Sequence, residues 1–165
     1  MRAVILSLDT GAYKAKADVA AAASLKRMLE QVGIEVRAAK AFPEDKEMLK
    51  TVLCKLADAG MVELVLTTGA VGFLEKHCAP DAVRETADRL LPGIPEALRA
   101  YNLRHTKKVI LDRSEAGIRK KTLMINLPES AKMAKEDLEY ILPEVYMCRY
   151  FFIKIKTEGW NNRRD

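Results

Sequence analysis

Three cysteines, Cys54, Cys78 and Cys148, stand far apart in 165 residues with no C-x-x-C pair. An odd, scattered set builds neither a disulfide framework nor a zinc site, and the thiols are expected to stay reduced. Histidine is scarcer still: His77 and His105 are the whole complement. No pairing of His77, Cys78 and His105 has the spacing of metal ligands on a helix. Aromatics make up 6% of the chain and are not interleaved with its basic residues. No RNP, KH or helix-turn-helix signature is visible, so nucleic acid is disfavoured as a partner. No apolar run approaches the ~20 residues of a membrane span. The chain passes from Met1-Arg2 directly into Ala3-Val4-Ile5-Leu6 without the apolar region and cleavage site of a secretory signal, so a cytoplasmic location is expected. Repeats, low-complexity segments and linkers are also lacking.

What remains is 49% apolar and 31% charged residues, the composition of a soluble globular protein. The length suits a single domain, 1–165. A formal charge of +5 fits either a solvated basic surface or a phosphate-bearing small-molecule ligand.

Strand-like and helix-like segments alternate. Arg2–Leu8 reads as a strand, and 18–32 as a helix with Leu25, Met28, Leu29 and Val32 on one face. Gly33 ends that helix. Glu35–Ala39 reads as a short strand, Pro43 opens a helix striped by Met48, Leu49, Val52, Leu53 and Leu56, and Gly60 closes it. Glu63–Thr67 is a third strand. Pro80–Leu90 and Pro95–Leu103 read as helices, Lys108–Leu111 and Leu123–Leu127 as strands, and Ser130–Leu142 as an amphipathic helix. Tyr150–Trp160 fits a short strand or a terminal helix equally, and 161–165 reads as a polar tail. Such alternation predicts an α/β fold, a three-layer α/β/α sandwich with a mostly parallel sheet. Ligands in such sheets bind beyond the carboxyl ends of the strands.

The third strand discharges into Thr67-Thr68-Gly69-Ala70-Val71-Gly72, with a helix opening soon after at Pro80. Strand, glycine turn and helix form a phosphate cradle, because glycine lets backbone N–H groups approach an anion and a helix N-terminus adds favourable dipole. Downstream stand Pro92-Gly93-Ile94-Pro95-Glu96-Ala97-Leu98-Arg99, then Asp112-Arg113-Ser114-Glu115-Ala116-Gly117-Ile118-Arg119, then Pro128-Glu129-Ser130-Ala131-Lys132 after a strand.

In this order the motifs resemble those of the MoaB/Mog-type molybdopterin-binding domain of molybdenum-cofactor biosynthesis, also found in gephyrin. That family carries T-T-G-G-T-G, R-D-x-T-P-x-A, P-G-x-x-E-x-x-R, S-R-x-x-x-G-x-R and N-L-P-G-S-P-K. The likeness covers about 2–145 and leaves 146–165 as a C-terminal extension. It implies a MoaB/Mog fold, a homotrimer, and molybdopterin as substrate with ATP and Mg²⁺. The cofactor-binding residues it implies are Thr68, Gly69, Ala70, Val71, Gly72, His77, Arg113, Ser114, Arg119, Pro128 and Ser130. It also implies catalytic roles for Glu44 and Asp45, with Glu44 on the metal. Acids at a helix start equally serve the dipole alone.

The departures are physical. Ala70 replaces a loop glycine, and a left-handed alanine costs about 1 kcal/mol. Val71 replaces the loop threonine. His77 stands where an aspartate is expected, and imidazole is a poor ligand for Mg²⁺. Glu129 adds negative charge to a cradle turn. Three functions therefore stand open: molybdopterin binding with adenylylation, a divergent binding or assembly module without that activity, and an enzyme acting on another nucleotide or pterin.

Overall fold

The computed structural model describes residues 1–157. Its six-stranded sheet comprises β1 (Arg2–Leu8), β2 (Glu35–Phe42), β3 (Leu64–Thr68), β4 (Arg89–Leu90), β5 (Ala116–Arg119) and β6 (Thr122–Leu127). Their spatial order is β2-β1-β3-β6-β5-β4. The first four of that order are parallel, while β5 runs antiparallel to both β6 and β4.

Alternation along the central strands separates two apolar layers. Ala3, Ile5, Leu64, Leu66, Leu123, Ile125 and Leu127 face one way, against α2 (Ala20–Gln31), α5 (Gly93–Asn102) and α6 (Ala131–Thr157). Val4, Leu6, Leu8, Val65 and Met124 face the other way, against α3 (Lys46–Asp58) and α4 (Ala79–Thr86). Strands buried on both faces need such near-continuous apolar runs. This is the expected α/β fold with a mostly parallel sheet.

Several local readings change. Residues 10–15 form a short helix, α1, whose first turn is held by Asp9 accepting from the Ala12 N–H at 2.9 Å. The helix read from Pro80 to Leu90 stops at Thr86, and Ala87 is extended. Residues 89 and 90 then join the sheet edge as β4. The Lys108–Leu111 run is a 3-10 helix over Lys107–Leu111 with Ile110 70% exposed, so its β-branched residues do not mark a buried strand. Ala116–Arg119, read as part of a turn motif, is strand β5. A Cβ at Gly117 would lie 2.6 Å from the Ala87 methyl and 2.9 Å from the Arg89 carbonyl oxygen, so only glycine lets the β4 edge approach.

Helix α6 does not stop before Pro143. It continues through that exposed proline because Ile141 and Val145 are buried before and beyond it, and the Tyr146 hydroxyl donates to the Val32 carbonyl at 2.8 Å. A proline removes one helix hydrogen bond, which tertiary packing can offset. Of the undecided stretch 150–160, residues 150–157 are helical, and 158–160 and the tail 161–165 lie outside the described residues. Among the described residues no helix is long and apolar enough to cross a membrane.

Candidate functional site

All four parallel strands end on one edge, and the glycine loop is built there. Residues Thr68 and Leu127 are paired at the ends of β3 and β6, and the Gly69 N–H donates to the Leu127 carbonyl at 3.1 Å. The chain then turns sharply, with φ of 78° at Gly69 and 55° at Ala70. Ala70 thus occupies the left-handed region that its methyl disfavours. The Ala70 carbonyl accepts from Ala79 at the start of α4, and the Val71 carbonyl accepts from the Arg113 N–H at 2.8 Å. The N–H groups of Ala70, Val71 and Gly72 have no acceptor among the described residues. They remain available to an anion.

His77 braces this loop. Its Nδ1 accepts from the Leu74 N–H at 3.3 Å, and its backbone N–H donates to the Leu74 carbonyl. The imidazole lies so close beneath Gly72 that a Cβ there would sit 2.5 Å from Nδ1. The residue that replaces the expected aspartate therefore fills space inside the turn.

Thr68 is 2% exposed and donates its hydroxyl to Ser7 Oγ at 2.8 Å, which stitches β3 to β1. Pro128 and Ser130 follow β6 on the same edge, and Ser130 Oγ accepts from the Met133 N–H at the start of α6. Exposed Glu129 comes within van der Waals reach of where a Gly69 side chain would be, at 3.8 Å. The loop and the Pro128–Ser130 turn thus share one rim.

Behind that rim lies a cavity of about 290 Å³. Its apolar walls are Leu98, Val109 and Met133, and Ser114, Asn126 and Ser130 contribute polar groups. Ser114 is 6% exposed, donates to Asp112 Oδ1 at 2.7 Å, and its carbonyl accepts from Arg99 at 3.1 Å. Asn126 accepts from the Glu115 N–H and donates to Thr67 Oγ1, so it fixes β5, β6 and β3 together at the cavity wall. Asn102 and Asp137, also in the lining, are 3% and 1% exposed. The Asn102 Nδ2 donates to both Asp137 oxygens, at 2.8 and 3.0 Å.

Asn102 and Asp137 escaped the sequence reading, although a signal was present. Asp137 falls in the stripe Ala134, Leu138, Ile141, Val145, and Asn102 in the stripe Pro95, Leu98. A polar residue on a buried helix face calls for a partner.

The remaining expected residues divide. The Arg113 side chain donates to Asp81 Oδ1 at 2.8 Å, beside the loop its backbone touches. Arg119 is a correction: it pairs with Thr122 at the amino end of β6, the opposite edge of the sheet. There it donates to both Asp58 oxygens, at 2.8 and 2.9 Å, and to the Thr86 carbonyl. The antiparallel course of β5 sends its two ends to different edges, so Arg113 and Arg119 do not converge.

The carboxylates do not fit a protein-built Mg²⁺ site. Asp45 is committed to the N-cap of α3, accepting from the Met48 N–H at 3.0 Å. Glu44 faces Lys76 at 4.0 Å, and Asp81 is bonded by Arg113 and Arg84. Among the described residues no three His, Cys, Asp or Glu side chains gather as ligands. Burial, reinforced by the fields of Glu44, Asp45 and Asp81, pushes the Cys78 thiol up to about 11. A thiolate nucleophile has no support there.

Residues 4–146 match the family described as the probable molybdopterin binding domain. The chain belongs to that family. It is 39% identical over 98 residues to the molybdopterin adenylyltransferase of Escherichia coli K12, covering 59% of this chain and 50% of the relative. With the molybdopterin adenylyltransferase of Helicobacter pylori J99 it shares 34% identity over 105 residues, 64% of this chain and 60% of the relative. The chain thus spans about half to 60% of the length of these curated relatives. Among solved structures, the molybdopterin biosynthesis enzyme MoaB from Thermus thermophilus superposes with a TM-score of 0.78 at 33% identity, covering 89% of this chain and 95% of that one.

Proposed function

We propose that this protein binds molybdopterin at the carboxyl edge of its sheet, as a component of molybdenum-cofactor biosynthesis, with adenylyl transfer from ATP weak or absent. The observation that carries this reading is the rim that the loop and the cavity share at Glu129: free backbone donors for phosphate stand beside a cavity walled by Leu98, Val109 and Met133 and lined also by polar and charged side chains. A volume near 290 Å³ lies at the small end of ligand pockets and suits a fused heterocycle better than a whole nucleotide.

Weak transfer follows from the donor set. Adenylyl transfer needs developing phosphoryl charge neutralised, commonly by a metal on oxygen ligands. Here Glu44 and Asp45, the catalytic pair expected by resemblance, are respectively opposed by Lys76 and spent on a helix cap. Arg113 is the cation placed to meet a phosphate once it exchanges its bond from Asp81. A homotrimer and a cytoplasmic location belong to the same reading.

The test is titration of the purified protein with molybdopterin and with ATP, followed by an assay of AMP transfer with an active relative alongside. Molybdopterin binding with little transfer is expected. Replacing Ala70 by Gly, Val71 by Thr, His77 by Asp and Glu129 by Gly together should raise transfer. Robust turnover by the unaltered protein would falsify the weak-transfer reading, and absence of molybdopterin binding would remove the function itself.

A further inference from the structure

The floor of the cavity holds an arrangement that folding alone does not favour. Asp137 is 1% exposed and, among the described residues, accepts only from the Asn102 amide. An ionised carboxylate has about four lone-pair sites, and one amide nitrogen occupies two of them. No Lys, Arg or His forms an ion pair with Asp137 among the described residues. Its charged neighbours Asp112 and Glu136 are themselves acidic. Giving its NH₂ to the carboxylate turns the other end of the Asn102 amide away, and that buried Oδ1 has no hydrogen-bond partner among the described residues. Two buried acceptor groups thus stand in the lining of the cavity, neither of them paired with a cation among the described residues.

We propose that Asp137, held in place by Asn102, is the specificity-determining residue of the cavity and reads the adjacent N–H donors of a 2-amino-4-oxo-pteridine ring. This rests on the molybdopterin reading and adds the mode of recognition. The exocyclic amine and the neighbouring ring N–H present two nearly parallel donors, the pattern that a carboxylate accepts in bidentate fashion. The second amine hydrogen has Asn102 Oδ1 as an acceptor. The ring faces lie against Leu98, Val109 and Met133, which line the same cavity. The phosphate-bearing side chain of the ligand then extends past Pro128 and Ser130 toward the free N–H groups of Ala70–Gly72.

Burial raises Asp137 to about 6, so the acceptor form predominates at neutral pH and no proton has to leave when the ligand enters. A ring that carries a carbonyl in place of the amine brings a third acceptor against two others and is rejected. Sites built to hydrogen-bond a donor discriminate strongly against analogues that lack it.

Pterin and lumazine differ in this one group, and guanosine carries the same donor edge on a different ring. Their binding to the whole chain is read by fluorescence or calorimetric titration, for the wild type and for Asp137→Asn. The wild type should bind pterin at least about 10-fold more tightly than lumazine. In Asp137→Asn the pterin affinity should fall by about 10-fold or more, while lumazine affinity stays the same or rises. Denaturant unfolding of the same samples establishes that the variant is folded, and unlike the ligand preference it would register a purely structural role. Equal affinity of the wild type for pterin and lumazine overturns the inference, as does unchanged pterin preference in the folded variant. Tighter binding of guanosine than of pterin also overturns it, in favour of a purine ligand. Molybdopterin binding that is retained in Asp137→Asn sinks this inference alone, whereas no molybdopterin binding by the wild type sinks the proposed function as well.

Discussion

Replacing Asp137 by Asn should make the protein more stable at neutral pH, and the gain should vanish in acid. Burial lifts this carboxyl from its ordinary 3.8 to about 6. A raised folded value means that the stabilising form is the protonated one. Its contribution is fully present below the unfolded value near pH 4 and is lost as pH rises through about 6. Two units correspond to roughly 3 kcal/mol of ionisation cost, an upper bound. The groups facing Asp137 do not relieve it. Asp112 and Glu136 add like charge, His105 lies on Glu136 at 3.4 Å, and Arg99 is engaged by Asp112 and the Ser114 carbonyl. Lys108 lines the cavity without an ion pair to Asp137.

Asparagine at 137 cannot ionise. Its oxygen can still accept from Asn102 Nδ2, and its own NH₂ can donate to the orphaned Asn102 Oδ1. The charge-assisted bond is weakened to a neutral one, a loss of about 1 kcal/mol. A net gain of about 1–2 kcal/mol at pH 7.5 remains. Urea unfolding at pH 7.5 and pH 4.5 measures it, as a midpoint raised by about 0.5–1 M at unchanged slope. Groups that titrate alike in both proteins cancel in the difference. A variant less stable than wild type at pH 7.5, or a gap equal at both pH values, would refute the reasoning.

Ala70→Gly should raise stability by about 1 kcal/mol in a thermal or urea melt, because relief of a left-handed alanine exceeds the added unfolded-state entropy. Gly72→Ala should destabilise the protein through collision with His77, and most of that loss should disappear in a His77→Ala background, a coupling of about 1–2 kcal/mol in a double-mutant cycle. Arg113→Ala should weaken binding of a phosphate-bearing pterin by about 1–3 kcal/mol in calorimetry. Arg119→Ala should leave that affinity unchanged, since its guanidinium is bonded to Asp58 at the other edge of the sheet.

The parts of the fold legible in the sequence are those set by pattern over many residues. The apolar runs of β1, β3 and β6 and the stripe of α2 each repeat one period long enough to identify the element. Short elements are decided by partners instead. Residues 89 and 90 become a strand because Gly117 admits their backbone, a contact 28 residues away in sequence that no local pattern contains. The run Lys107–Leu111 has the composition of a strand but finds no partner strand among the described residues, and all of it except Val109 stays exposed. The site shows the same division. Its loop was legible because glycine spacing is local. The convergence of Asn102 with Asp137, 35 positions apart, depends on how α5 packs on α6. Arg119 was misplaced for the complementary reason: the motif lists it beside Arg113, whereas the antiparallel hairpin carries it across the sheet.

Several unfavourable features of this molecule gather on one edge, although the left-handed Lys120 stands at the other. The left-handed Ala70, the exposed acid Glu129 in a tight rim, the buried carboxylate of Asp137 and the unpaired oxygen of Asn102 all lie at the carboxyl ends of β3 and β6 or in the cavity behind them. At the opposite edge the charged groups form matched pairs, Arg2 with Glu63 and Arg119 with Asp58, around a wider cavity of about 680 Å³. Packing alone would distribute such costs without regard to strand direction, and selection for stability would remove them. Natural sequences retain local conflict where a ligand resolves it. Each cost here also has a form that an anionic heterocycle answers. Free backbone N–H groups await phosphate, and the floor of the cavity awaits N–H donors. Glu129 is the exception, since it repels such a ligand, and its place on the rim sets it against entry rather than against the bound state. Replacing Glu129 should therefore speed association, with dissociation little changed.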